Sequence, residues 1–368
     1  LSRTFKAWLL RGPGEGLRLE DLPLPDLHPR GVLVRVESAT VLSYMGKVID
    51  GSLGYATPPP PFIPGTNAVG RVEAVGSEVS HVTAGELVFL SPHLVDDVPG
   101  EAPAQILIGL TAMGAARVDG LPDGALRLQQ VWRDGVFAEF AQWPAACVTP
   151  LRGLGRVPDD RLIALAKLVV PYGGLLRGGV EPGHTVLVNG ATGYYGSAGV
   201  MVALAMGAAK VVAIGRDQAG LDRLAETLGP RVVAARVTGE DANADLAAVL
   251  AAGGRADVGL DLLGRASSTA TTLATLRALK RGGRLVLMGS AAAPLELAFG
   301  EMLGNDWEVV GNFMYRRSAP GQLAALAAAG LLDLSLVRIK RFALAQLPEA
   351  IAAAAVMRDL DLVAVEGA

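Results

Sequence analysis

The chain has 368 residues, 51% of them hydrophobic and 19% charged, which excludes a disordered polymer and leaves room for two domains with sizeable cores. Its net charge is −3 with the two signs interspersed, so no basic stripe is offered to nucleic acid or to an acidic membrane, and a small-molecule substrate is expected instead. One cysteine, Cys147, excludes an intrachain disulfide. Apolar runs such as 200–206 are far shorter than a bilayer span, and the N-terminal LSRTFKAWLL lacks a secretory cleavage pattern, so a cytoplasmic location is expected.

From Phe5 to Val148 short strand-like runs dominate, for example 32–36, 68–75 and 87–90, punctuated by Gly and Pro turns. The proline run 58–61 reads as a stiff extended loop. From about Pro171 strands alternate with alanine-rich helices, the pattern of a parallel sheet. The run 185–189 (TVLVN) reads as a buried strand, Ala191-Thr192-Gly193-Tyr194-Tyr195-Gly196 as a tight turn opening a helix, and 210–214 (KVVAI) as the next strand. Val200, Ala203, Leu204 and Gly207 continue one small apolar face of the helix between them. This is the order of a dinucleotide-binding unit, with alanine in place of the first glycine. Ala191 and Gly193 permit close approach of backbone to a pyrophosphate, Gly196 lets helix and strand pack, and the free amides of the helix N-terminus meet the negative charge.

A carboxylate about 20 residues beyond the glycines would hold a ribose 2′-hydroxyl, but Gly215-Arg216 stands there. A planar guanidinium suits a 2′-phosphate through charge-assisted bonds, so NADPH is the expected cofactor. Asp217 reads as the cap of a helix over 218–228. Further strands are expected at 258–262, 284–288 and 307–310, with a helix over 267–279. In 322–354, two short amphipathic helices flank RIKRFAL.

The order of motifs resembles the medium-chain dehydrogenase/reductase superfamily from end to end. Besides GATGYYG, the resemblance rests on Pro64-Gly65-Thr66-Asn67-Ala68-Val69-Gly70, Ala84-Gly85-Glu86-Leu87-Val88 and Asp134-Gly135-Val136-Phe137-Ala138-Glu139. It continues in Glu181-Pro182-Gly183-His184-Thr185-Val186, DVGLDLLG from Asp257, which contains Leu263, and LKRGGRLVLMGS from Leu279, which contains Gly289. The resemblance implies an α/β protein in which a Rossmann nucleotide-binding domain, 166–307, is inserted into a β-rich GroES-like catalytic domain, 1–165 and 308–368. It also implies a homodimer or homotetramer.

Zinc-dependent members carry Gly-His-Glu where this chain has Gly65-Thr66-Asn67, and their first cysteine ligand aligns with Leu42 and their third ligand near Ala166. Zinc needs nitrogen, thiolate or carboxylate donors, so no metal is expected and the resemblance narrows to the zinc-independent quinone and enoyl reductase branch. The structural-zinc cysteines are absent too, replaced by the cysteine-free segment 94–132. Among the histidines, scattered in loop-like surroundings, His93 is the one worth locating.

Without a metal, hydrogen-bond donors must stabilise charge on the substrate oxygen. Tyr44 aligns with the relay hydroxyl of zinc alcohol dehydrogenases and either donates to that oxygen or forms an aromatic wall. Thr66 and Asn67 either orient substrate or bind local backbone. The resemblance makes Tyr172 packing near the cofactor and brings Asn312, with Phe313 to Tyr315, to the nicotinamide end or to a subunit interface. The expected function is hydride transfer from NADPH to an activated double bond. The alternatives are carbonyl or imine reduction and a non-catalytic NADPH sensor.

Overall fold

The valine-rich run Gly31–Thr40 alternates well enough to be buried along most of its length, and it becomes the middle of a seven-stranded sheet in the computed structural model. That structure describes residues 3–12, 14–96, 103–112, 120–155 and 157–367. One edge of Gly31–Thr40 pairs antiparallel with Ala68–Val75, which in turn pairs with Leu87–Leu90 and then Val148–Pro150. Its other edge is shared, with residues 31–35 facing Phe140–Pro144 and residues 38–40 facing the last strand, Asp361–Glu366. Two strands not expected from the sequence, Thr4–Leu10 and Leu17–Pro23, form a separate antiparallel pair.

The second architecture is parallel. Its strands are β1 (Thr185–Asn189), β2 (Lys210–Gly215), β3 (Val232–Arg236), β4 (Ala256–Asp261), β5 (Leu279–Leu287) and β6 (Glu308–Gly311). They lie in the order β3-β2-β1-β4-β5-β6, the doubly wound arrangement in which strand order reverses at β1. Helices α1 (Leu165–Gly178), α2 (Tyr194–Ala205), α3 (Gln218–Leu228), α4 (Ala242–Gly253) and α5 (Ala270–Arg277) accompany these strands. Leu187, Val212, Ile214, Val249, Leu276 and Leu285 share one of its buried clusters. Near-continuous burial of β1 and β2 explains why these two strands read as unbroken apolar runs.

The chain divides into two compact units, Leu1–Ala166 with Arg338–Met357 and Leu362–Ala368, and Lys167–Val337 with Arg358–Asp361. The return to the first unit therefore comes at Arg338, thirty residues later than the expected 308. The reason is register: Glu308–Gly311 pairs in parallel with β5 as the sixth strand, and the helix Ala319–Ala328 stays with that unit. The segment Arg358–Asp361 belongs with the nucleotide-binding fold as well. There Asp359 adopts a left-handed backbone (φ 47°), its carbonyl accepts from the Ser197 hydroxyl, and its carboxylate accepts Arg223 Nε and Nη2 at 3.1 Å.

Candidate functional site

In the parallel unit, β1 ends at Asn189 and the chain turns at Gly190, whose φ of 80° belongs to the left-handed region that glycine alone enters freely. Gly190 and Ala191 both donate to the Ile214 carbonyl of β2, at 3.0 and 2.9 Å, and Gly193 donates back to the Gly190 carbonyl at 3.0 Å. A Cβ on Gly196 would lie 1.9 Å from that same carbonyl oxygen. The working glycines are thus Gly190, Gly193 and Gly196. Gly190 was not among the expected cofactor residues, although it stands in the sequence one place before Ala191, whose side chain is wholly buried.

Gly193 is the N-cap of α2 and supplies no side-chain cap, and the first turn holds no acidic residue. Such an end leaves amides and dipole available to an anion. Tyr194 and Tyr195 follow with their rings edge to face, 4.8 Å apart at 74°. Thr192 lies beside Gly215, where a Cβ would come 3.5 Å from its hydroxyl. Arg216 is exposed just beyond β2, with its Cδ 3.8 Å from the Cβ position of Gly239. Asp217 occupies the N-cap position of α3 as expected, yet its side chain makes no cap hydrogen bond; its carboxylate lies 4.0 Å from Arg223 Nη2.

Across the strand reversal, the end of β4 is organised by a buried carboxylate. Asp261 Oδ2 accepts Asn189 Nδ2 at 2.9 Å and the Thr272 hydroxyl at 2.6 Å, and Oδ1 accepts the Leu263 amide at 3.1 Å. The Leu263 carbonyl in turn accepts from Ser290 at 2.8 Å, and a Cβ on Gly289 would come 2.4 Å from it. Leu263 and Gly289 are therefore brought together. Asn312 instead holds the turn beyond β6, where its amide donates to the Met314 carbonyl at 2.9 Å. Tyr172 is buried in α1, and burial pushes its phenol above the usual range.

Burial also pushes the Asp261 carboxyl above the usual carboxylate range, outweighing its three donors. A carboxyl that titrates higher in the folded than in the unfolded chain favours folding below the unfolded value, near 3.9, and that contribution is lost as pH rises through the folded value. Asp261→Asn cannot ionise. Its stability relative to the wild type should rise between about pH 4.5 and pH 8, measured by urea unfolding; a difference that stays constant across that range would mean that the buried carboxyl is charged throughout.

In the β-rich unit, two sequence motifs, 64–70 and 134–139, converge with Gly109. Gly65 is approached so closely that a Cβ on Gly109 or on Gly135 would lie 2.3 or 2.2 Å from its carbonyl oxygen. Asp134 accepts the Ile63 amide at 2.9 Å, and Phe137 donates to the Pro64 carbonyl at 3.1 Å. This clasp seats Thr66 and Asn67, which are 2% and 4% exposed. The Asn67 amide donates to the Leu90 carbonyl at 3.3 Å, whereas the Thr66 hydroxyl is buried without a hydrogen-bond partner among the described residues. Tyr44 stands half-buried at the N-cap of Met45–Ile49, its ring edge-on to Tyr55 at 6.4 Å.

A catalytic zinc does not fit these positions: Leu42 and Ala166 are buried side chains without donor atoms, and Thr66 offers only a neutral hydroxyl. Among the described residues no cluster of three or more His, Cys, Asp or Glu could hold a metal. His93 sits in the strand His93–Val95 with its ring Nε2 2.9 Å from the Gln105 side-chain oxygen. Of the segment 94–132, residues 97–102 and 113–119 lie outside the described residues. No helix among the described residues is long and apolar enough to cross a membrane.

Two family models match, "Alcohol dehydrogenase GroES-like domain" over residues 28–153 and "Zinc-binding dehydrogenase" over residues 196–329. The chain is 29% identical over 308 residues to an L-threonine 3-dehydrogenase of Chelativorans sp. (strain BNC1), covering 82% of each protein. It is 28% identical over 337 residues to the sorbitol dehydrogenase of Homo sapiens, covering 87% of this chain and 84% of that one. It shares its fold with a structure from Sinorhizobium meliloti 1021, described as a zinc-binding dehydrogenase bound to NADP, with a TM-score of 0.77, 22% identity and coverage of 99% and 100%.

Proposed function

We propose that this chain, which belongs to the medium-chain dehydrogenase/reductase superfamily and is an NAD(P)-dependent oxidoreductase, uses NADPH and works without zinc. Its substrate is an activated double bond, such as that of a quinone, an enone or an enoyl compound. The observation that carries this reading is the donor set at the superfamily's metal position, where Leu42, Thr66 and Ala166 offer one hydroxyl and no ligand.

The nucleotide supplies hydride. Gly190, Gly193 and the uncapped first turn of α2 hold its pyrophosphate, and Arg216 meets the 2′-phosphate. Leu263 and Gly289 border the other end of the strand crevice, positioned by Asp261. Developing negative charge on the substrate oxygen falls to Tyr44 as donor, with the Thr66 hydroxyl and Asn67 amide as further polar groups of the same unit.

A second reading is favoured by the names of the relatives, threonine and sorbitol dehydrogenases: interconversion of an alcohol and a carbonyl. The two readings separate in one assay series. NADPH oxidation is followed with quinones, enones, enoyl thioesters, aldehydes and imines, and NADP reduction with polyols and threonine. Turnover confined to the double-bond acceptors is the expected result. Turnover of alcohols alone supports the second reading, and tight NADPH binding with no turnover on any acceptor would make the protein a sensor.

Metal content is a separate expectation. The purified protein should hold far less than one zinc per chain by elemental analysis and keep its activity in chelator. A tightly held zinc whose removal abolishes turnover would contradict the zinc-free reading.

A further inference from the structure

A lysine with no exposed surface needs a reason, because burying an ammonium costs several kcal/mol unless its donors are met. Lys167, in the first turn of α1, is 0% exposed. Its Nζ donates to the main-chain carbonyl of Tyr194 at 2.6 Å and lies 3.7 Å from the centroid of the Tyr194 ring. Tyr194 is the first residue of α2, directly after the uncapped Gly193. The Lys167 amino group has thus been placed on the very peptide that begins the pyrophosphate-facing helix.

We infer that Lys167 is a positioning residue of the dinucleotide site, which it primes for the cofactor's pyrophosphate through the Tyr194 peptide. Two physical effects act together. The carbonyl of Tyr194 and the amide of Tyr195 belong to one conjugated peptide unit, so an ammonium bound at the oxygen withdraws electron density and makes the Tyr195 N–H a stronger donor. That N–H lies in the first turn of the helix, where backbone donors are left over for an anion. The ammonium also adds a full positive charge to the positive end of the helix dipole, in surroundings where water screens it little. Its contact with the Tyr194 ring fixes where that charge sits. Arg216 selects the phosphate at the ribose; Lys167 acts on the phosphates common to both nicotinamide dinucleotides.

The inference rests on the dinucleotide reading above, and the two fail differently. Dissociation constants are measured for NADPH, NADH, ADP-ribose and adenosine 2′-monophosphate on the wild type, Lys167→Met and Lys167→Arg. Lys167→Met should weaken NADPH, NADH and ADP-ribose together by roughly 3- to 30-fold. Adenosine 2′-monophosphate, which carries no pyrophosphate, should change by less than about twofold, and Lys167→Arg should recover most of the loss. If Lys167→Met does not fold, Lys167→Gln is read in the same way. Unchanged affinity for the three pyrophosphate compounds overturns the inference, and so does an equal loss for adenosine 2′-monophosphate, which would make Lys167 a support of the fold. A wild type that binds neither NADPH nor NADH removes the dinucleotide reading itself, and this inference with it.

Discussion

Tyr44→Phe is expected to lower turnover by about 10²-fold while leaving NADPH affinity unchanged. The substitution is informative because of how the ring is held. Tyr44 precedes Met45–Ile49, and its ring is packed edge-on against Tyr55 at an interplanar angle of 81°, a contact that phenylalanine reproduces. Only the phenolic donor is lost. A phenol stabilises an oxyanion by donating a hydrogen bond, without having to give up the proton in every step. The measurement is single-turnover hydride transfer, followed by NADPH absorbance, so that product release does not mask the effect. An unaltered rate would make Tyr44 a wall. Charge stabilisation would then pass to Thr66, whose hydroxyl is already buried without a hydrogen-bond partner among the described residues, and Thr66→Val would become the decisive variant.

The centre of the parallel sheet was legible because β1 and β2 are buried nearly throughout and so read as apolar runs, 185–189 and 210–214, and the glycine-rich turn between them has a physical meaning. β3, with the sequence VVAAR, did not announce itself. It is short, two of its five residues are alanine, and its burial is partial, so its strand character comes from pairing with β2. The strand Leu17–Pro23 was missed for a similar reason, since LRLEDLP has no buried residue and carries three charges among its leucines. Sequence placed Asp217 at the start of α3 but could not supply its side-chain direction, which turns from the helix amides toward Arg223. The domain return at Arg338 was hidden because alanine-rich helices look alike whichever unit they join. Lys167 was equally unreadable: one lysine in LAKLVV is indistinguishable by pattern from a side chain that snorkels to water.

Arg216→Ala is expected to weaken NADPH binding by about 10- to 150-fold and to leave NADH nearly unchanged, because a hydrogen bond to a charged partner is worth roughly 1.5–3 kcal/mol. The geometry favours the lower half of that range. Arg216 is exposed, where solvent screens a charge, and Arg236 ends the adjacent strand in register with Gly215, so part of the positive field survives the substitution. Both features predict a salt-dependent preference: the NADPH-to-NADH affinity ratio of the wild type should fall as ionic strength rises, and that of Arg216→Ala should fall less steeply. Titration of both nucleotides at two salt concentrations, on the wild type and on Arg216→Ala, measures the constants needed. Equal weakening of NADPH and NADH in Arg216→Ala would mean that the arginine supports the end of β2 and reads no phosphate. In that case the absence of a carboxylate at Gly215 would have to be explained by an adenosine ribose held through other groups, with Thr192, beside Gly215, as the nearest hydroxyl.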